Sequence, residues 1–236
     1  MGDKKVFRFK EFSVHHDECA MKVGTDAVLL ATWTNIAGAR SILDIGTGSG
    51  VIALILAQRS NPEVKIDAVE IAEKDATQAR QNFNSSPWTN RLRVHHTPIQ
   101  SFLPEYHYDH IISNPPFFTN SYRPPGEGRS GARHTQSLSH DTLINTVLKL
   151  LTPAGSFDII LPYTEGNAFL KIAGSAGLFC QRKTIVYARE MKPVERQLLS
   201  FSQERRELVI DDLVMHVSDG HSEAYKDLTR DFYLNF

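Results

Sequence analysis

The run Ser41-Ile42-Leu43-Asp44-Ile45-Gly46-Thr47-Gly48-Ser49-Gly50-Val51-Ile52-Ala53-Leu54-Ile55-Leu56-Ala57 constrains the fold more than any other stretch of the chain. Its first five residues read as a short buried strand and its last seven as a helix apolar on every side. The three glycines between them let the backbone take positive φ and pass close to a ligand. Strand, glycine turn and helix together open a nucleotide-binding βαβ unit. The alternation continues downstream. Apolar runs predict strands over 64–71, 92–94, 108–113 and 156–161, and helical patterns cover 72–84, 140–151 and 165–176. Pro153 and Gly177 stand just past the last two helices. Strands and helices that alternate for about 140 residues imply a mainly parallel sheet covered on both faces. Ligands then sit beyond the carboxyl ends of its strands.

The two ends of the chain differ from this core. Residues 1–24 mix Lys4, Lys5, Arg8 and Lys10 with Phe7, Phe9 and Phe12, an alternation that suggests a short strand or hairpin. Thr25 or Asp26 caps a helix that runs to about Trp33. From Cys180 onward, 182–188, 197–202 and 208–210 look like strands on tight polar connections, and 222–231 like a short helix. The expected organisation is one domain over 1–236: an extension (1–24), an α/β core (25–176) and C-terminal strands with a helix (177–236).

Three chemical features fall at predicted strand ends. The first is the glycine turn, preceded by Asp44. The second is Glu70, 20 residues after Gly50, placed to accept both ribose hydroxyls of an adenosine-type cofactor. A dinucleotide fingerprint wants Gly-x-Gly-x-x-Gly and a helix N-terminus open to a pyrophosphate. The spacing here is shorter, and the acid at position 44 repels phosphate but suits the ammonium end of an amino acid. S-adenosylmethionine has that end and no phosphate. The third feature is Ser113-Asn114-Pro115-Pro116-Phe117. Neither proline can donate to a sheet ladder, and each biases its predecessor towards extended geometry, so the strand stops in a stiff turn. The Asn114 side-chain oxygen and the Pro115 carbonyl can both accept from one –NH2 group, and the Phe117 ring can stack on a planar heterocycle. Alone, the run is also what a plain strand-ending turn looks like.

Composition narrows the class. The chain has 236 residues, net charge −1 and pI about 6.8, which argues against a strongly basic, nonspecific nucleic-acid binder. Two cysteines, Cys19 and Cys180, with no paired spacing suggest neither a disulfide framework nor a zinc site, and point to a reducing cytoplasm. His15, His16, His95 and His96 form adjacent pairs that do not share a helix face and have no ligand-spaced partners, so no metal is expected. No signal-peptide pattern, myristoylation motif or membrane-length apolar run is expected to direct the chain to a membrane.

With these residues in view, the chain resembles the class I S-adenosylmethionine-dependent methyltransferases. The resemblance rests on Leu43-Asp44-Ile45-Gly46-Thr47-Gly48-Ser49-Gly50, on Glu70 and on Asn114-Pro115-Pro116-Phe117. It narrows further. His16-Asp17-Glu18-Cys19-Ala20-Met21-Lys22-Val23-Gly24-Thr25-Asp26-Ala27-Val28-Leu29-Leu30 is similar to the N-terminal signature of the bacterial valine-tRNA adenine-37 N6-methyltransferases, as are the length and the Arg-bearing segment after Phe117. The resemblance implies a Rossmann-like α/β fold: a mainly parallel seven-stranded sheet, helices on both faces and an antiparallel C-terminal hairpin. It implies S-adenosylmethionine held by Lys22, Gly24, Thr25, Asp44, Gly46, Thr47, Gly48, Gly50, Glu70, Ile71, Ile99, Gln100 and Asn114. Gln100 stands where many relatives of the wider class place an Asp. Asn114, Pro115, Pro116 and Phe117 carry the reaction, N6-methylation of an adenosine in the anticodon arm of a tRNA. Arg123, Arg129, Arg133, Arg182 and Lys183 are candidate contacts to RNA phosphates. A cytoplasmic, metal-free monomer is expected. Two other readings remain: the same site acting on a protein glutamine or on guanine in ribosomal RNA, and a noncatalytic RNA-binding protein on a methyltransferase scaffold. The glycine spacing disfavours a dehydrogenase.

Overall fold

The computed structural model describes residues 5–116 and 138–235. In chain order the elements are β1 (Val6–Arg8), β2 (Ser13–His15), α1 (Thr25–Trp33), β3 (Ser41–Ile45), α2 (Val51–Arg59), β4 (Lys65–Glu70), α3 (Glu73–Asn84), β5 (Leu92–His96), β6 (Tyr108–Ser113), α4 (His140–Leu150), β7 (Leu151–Pro162), α5 (Tyr163–Ser175), β8 (Phe179–Arg189), β9 (Arg196–Ser202), β10 (Val209–Val217), β11 (Gly220–His221) and α6 (Glu223–Thr229). β1 and β2 form the expected hairpin, antiparallel with Phe7 opposite Val14. The Phe9 ring stacks on Phe12 at 4.6 Å and on Tyr233 at 6.0 Å, so the hairpin is pinned to the C-terminal segment.

Among the described residues the main sheet has nine strands in the order β11-β10-β8-β9-β7-β6-β3-β4-β5. From β3 the chain steps outward through β4 and β5, then returns to the other side of β3 with β6 and β7, all parallel. That reversal between β3 and β6 is the switch point at which an open α/β sheet binds its ligand. β9 runs antiparallel between β7 and β8. β10 and β11 extend the sheet beyond the seven strands expected, with β10 pairing parallel to β8. The strand expected over 208–210 is the start of β10; Asp211 and Asp212 interrupt the apolar pattern there, which hides its continuation to Val217. Asp211 is accommodated by Arg182, whose Nε and Nη2 donate at 3.2 and 3.0 Å, and by the Thr184 hydroxyl.

Each sheet face has its own core. α1 and α2 pack with Ile42, Ile66, Ile112 and Leu198 on one face; α4 and α5 pack with Leu43, Val69, Ile111 and Phe157 on the other. Both faces being covered explains why β3 is buried at every position, with no alternation.

Candidate active site

The strand ends meet at one level. Ile45 pairs with Val69 and with Ser113, so Gly46, Glu70 and Asn114 each sit one residue past that common line. The Gly46 and Thr47 amides donate back to Val69 O at 2.8 and 3.2 Å, folding the turn over the end of β4. Gly46, Gly48 and Gly50 have φ of +73°, +52° and +84°. A methyl at Gly50 would lie 2.5 Å from the Phe83 ring, whereas one at Gly46 or Gly48 would meet nothing within 4 Å. The first two glycines therefore front an open cradle, and the third seals the turn against α3.

Beneath the cradle Asp44 is fully buried. Its Oδ2 accepts from the Thr47 hydroxyl at 2.6 Å, and its Oδ1 has no partner. Burial, with a smaller contribution from the negative charge of Glu70, pushes its pKa up to about 7. A buried carboxyl with one open oxygen calls for a cationic donor. Glu70 lies across the turn: Oε2 accepts from the Gly48 amide, and Oε1 from the Ile71 and Ala72 amides, all at 2.9 Å. Ile71 is 55% exposed and offers an apolar surface beside it. Thr97 N donates to Glu70 O at 3.0 Å, which brings the turn Ile99–Ser101 alongside. There the Ile99 side chain is buried in the core and Gln100 faces solvent.

The segment from His16 to Gly24 is laced to this turn. The Asn82 amide donates to Ser49 O and His15 O, each at 2.8 Å, and its oxygen accepts from His15 N at 2.9 Å. Asp75 Oδ1 accepts from Ala20 N at 3.1 Å, and His16 Nδ1 from Val23 N at 3.1 Å. Lys22 is exposed, Gly24 caps α1 and Thr25 begins it. Sequence reasoning missed Asn82, Asp75 and Phe83. Their signal was the spacing 75, 78, 82: polar residues on the same face of α3 as Ala76, Ala79 and Phe83, all buried.

On the other side of β3, the Ser113 hydroxyl donates to Ile45 O at 2.9 Å and ties the two strand ends together. Asn114 follows directly, and its Oδ1 is buried without a partner. Pro115 is buried and Pro116 exposed. Phe117, Arg123, Arg129 and Arg133 lie outside the described residues. The Arg182 guanidinium is committed to Asp211 and lies 4.7 Å over the Trp33 ring. The Lys183 ammonium lies 5.6 Å over the Tyr163 ring. A cavity of about 580 Å3 sits at the opposite end of the sheet, among Asn35, Arg40, Arg59 and Asn61, but none of the unpartnered buried acceptors lines it. Among the described residues there is no group of three or more potential metal ligands, and no helix long and apolar enough to cross a membrane.

The site thus combines a glycine cradle, a buried acid with an open oxygen, a carboxylate at the second strand end and an open amide oxygen at the switch point. These fit S-adenosylmethionine: a cation for Asp44, a diol for Glu70 and an apolar face at Ile71, with no phosphate to meet the buried acid. Comparison with known proteins agrees. Residues 19–161 match the methyltransferase small domain family. A tRNA1(Val) (adenine(37)-N6)-methyltransferase of Yersinia pseudotuberculosis is 45% identical over 98% of this chain and 92% of its own length. The enzyme of the same name from Yersinia pestis is 44% identical over 98% and 94%. Among solved structures, a predicted O-methyltransferase from Agrobacterium tumefaciens superposes with a TM-score of 0.68 at 21% identity, covering 88% of this chain and 96% of that one, a likeness of fold. The chain belongs to the tRNA1(Val) (adenine(37)-N6)-methyltransferase family.

Proposed function

We propose that this chain methylates the exocyclic N6 amine of adenosine 37, next to the anticodon of a valine tRNA, using S-adenosylmethionine. The observation that carries this reading is the unpartnered Asn114 Oδ1 at the switch point, beside the cradle over Asp44. Bound S-adenosylmethionine supplies a sulfonium methyl whose leaving group its own positive charge already activates. Asp44 Oδ1 and the Gly46–Gly50 turn hold the methionine end, with Lys22, Gly24 and Thr25 closing over it. Glu70 exchanges backbone amides for ribose hydroxyls, while Ile71 packs on the adenine beside Ile99 and Gln100.

An aromatic amine is a weak nucleophile because its lone pair is delocalised into the ring. Asn114 Oδ1 and the Pro115 carbonyl accept its two N–H bonds, favour a pyramidal nitrogen and stabilise the charge that grows as the new C–N bond forms. The product ammonium is acidic and loses its proton to solvent, so no strong base is needed. Phe117 stacks on the target base, and much of the acceleration comes from holding the reacting atoms in line. A base inside an anticodon loop has to be splayed out to reach this turn. The expected working form is a cytoplasmic monomer of one domain that docks on the anticodon arm.

Tritium-labelled cofactor offered separately with bulk tRNA, ribosomal RNA and release factor tests the assignment. Label should enter tRNA and be recovered as N6-methyladenosine. Label confined to protein, or to guanine of ribosomal RNA, would instead support the alternative acceptors for the same turn.

A further inference from the structure

Among the described residues, four buried acceptor oxygens near the carboxyl rim of the sheet lack a partner: Asp44 Oδ1 near the end of β3, Asn114 Oδ1 after β6, Glu165 Oε2 after β7, and Gln197 Oε1 on β9 opposite Leu161. The proposed reaction uses the first two; of the others, the Gln197 side chain is fully buried, and Glu165 is the one that is only part-buried. β6 lies beside β7, with Ser113 opposite Ile159, so the Asn-Pro-Pro turn leaves the sheet next to the last residues of β7. Pro162 caps α5, and Glu165 lies in the first turn of that helix. It stands one turn before Phe169, on the same face, and the Phe169 ring lies 5.2 Å from that of His140 at the start of α4. Glu165 therefore overlooks the space between α5 and α4, above the ends of β6 and β7.

The helix N-terminus favours an acid in this turn but leaves Oε2 with no hydrogen bond. The turn itself is rigidly held. The fully buried Gln197 donates through Nε2 to Tyr163 O at 2.6 Å and to Asn167 Oδ1 at 3.1 Å, and Tyr163 N donates to Glu195 O at 3.2 Å. At the start of the same helix the Tyr163 ring is 38% exposed, with the Lys183 ammonium against it. An aromatic face with a cation next to it is what an unpaired base stacks on.

A carboxylate accepts hydrogen bonds and donates none, so its ligand must bring a donor. A phosphate is repelled, and Asn114 and Pro115 take the target amine. The donor that an RNA strand still presents on every nucleotide is the ribose 2′-hydroxyl. We propose that Glu165 binds substrate, with Oε2 accepting the 2′-hydroxyl of the methylated nucleotide or of an immediate neighbour, and so makes the enzyme selective for RNA. This inference rests on the proposed tRNA reaction.

The test pairs enzyme and substrate changes. Full-length tRNA is assembled with a single 2′-deoxyribose at the target nucleotide or at either neighbour, and kcat/KM is measured for the native enzyme, Glu165→Gln and Glu165→Ala. For the native enzyme, one of the three deoxy substitutions should cost about tenfold to a hundredfold, the range for losing a hydrogen bond to a charged group. Glu165→Ala should show a similar loss on all-ribose tRNA and no further loss at that position. Glu165→Gln keeps an acceptor oxygen but not the charge, so it should lose less and retain part of the deoxy penalty. Both should keep an unchanged Kd for S-adenosylmethionine, which guards against misfolding. If no deoxy position matters to the native enzyme, or if Glu165→Ala keeps the full penalty, the inference is overturned. A native enzyme that does not methylate tRNA at all refutes the proposed function and takes this inference with it. One that methylates tRNA without regard to Glu165 refutes the inference alone.

Discussion

Asp44 keeps its proton up to about pH 7 because its carboxyl is sealed from water and Glu70 adds negative charge nearby. A cationic ligand favours the ionised form, so cofactor binding below pH 7 must expel that proton. The Kd for S-adenosylmethionine should then weaken by up to tenfold for each pH unit below 7. Above about pH 8 the free α-amino group begins to lose its own charge, so affinity peaks between the two. Titration calorimetry at pH 6 in buffers of different ionisation heat should show close to one proton released from this carboxyl, falling to about a quarter of one at pH 7.5. A Kd that is flat from pH 6 to 7.5 would place the ammonium elsewhere. The same raised pKa works against folding as pH rises. The native state holds the proton between its ordinary value of 3.8 and about 7 while the unfolded chain has lost it, so this group's contribution to stability falls across that window. Asn114 separates differently. Asn114→Ala should abolish turnover, by 10²-fold or more if its role resembles that of an oxyanion donor, yet leave the cofactor Kd unchanged. Loss of both together would mean that Asn114 shapes the pocket.

At the level of elements, the β3–α2 turn does two jobs that substitution can separate. Gly50→Ala drives a methyl into the Phe83 ring at a φ of +84°, so it should lower stability by about 2–3 kcal/mol, from strain plus overpacking. Gly48→Ala meets open space and bears only the strain of positive φ, about 1–2 kcal/mol, but its methyl stands in the cradle. Thermal denaturation should therefore single out position 50 and cofactor affinity position 48. The reverse order would mean that the cradle faces away from the ligand. This turn was legible because each of its parts is local: an apolar strand, three glycines and an apolar helix read consecutively. Glu70 and Asn114 were legible because they close apolar strands. Asn82 and Asp75 were not, since each is explained by backbone groups 33 to 67 residues away. β10 was legible only over 208–210 for the same reason, because the partners of Asp211 sit on β8. Glu165 was not singled out in the sequence, because its place at the end of β7, the neighbour of β6, is set only by the order of strands in the sheet.

Across the whole molecule, the sheet joins what the sequence divides. The extension, core and C-terminal strands are distinct in pattern, yet β8, β9 and β10 lie in one hydrogen-bonded sheet with β3, and the core above α1 draws on β1, β2 and α6. Such continuity predicts one cooperative unit, although a chain of this length is above the size at which that is routine. The two tryptophans report opposite ends. Trp33 donates from Nε1 to Thr184 on β8 at 2.8 Å, and Trp88 packs edge-on against Phe12 near β2, just before β5. Trp33→Phe and Trp88→Phe each leave a single reporter. Urea unfolding followed by fluorescence in each variant should coincide with the loss of helix followed by far-UV circular dichroism on the same protein. Trp33→Phe loses a buried hydrogen bond and the stacked Arg182, so its midpoint should fall further than that of Trp88→Phe, but within each protein the two probes should agree. If the Trp33 signal were lost at a lower urea concentration than the dichroism in Trp88→Phe, the C-terminal strands would be a separate folding unit, and the single-domain reading would give way to a core with a detachable edge.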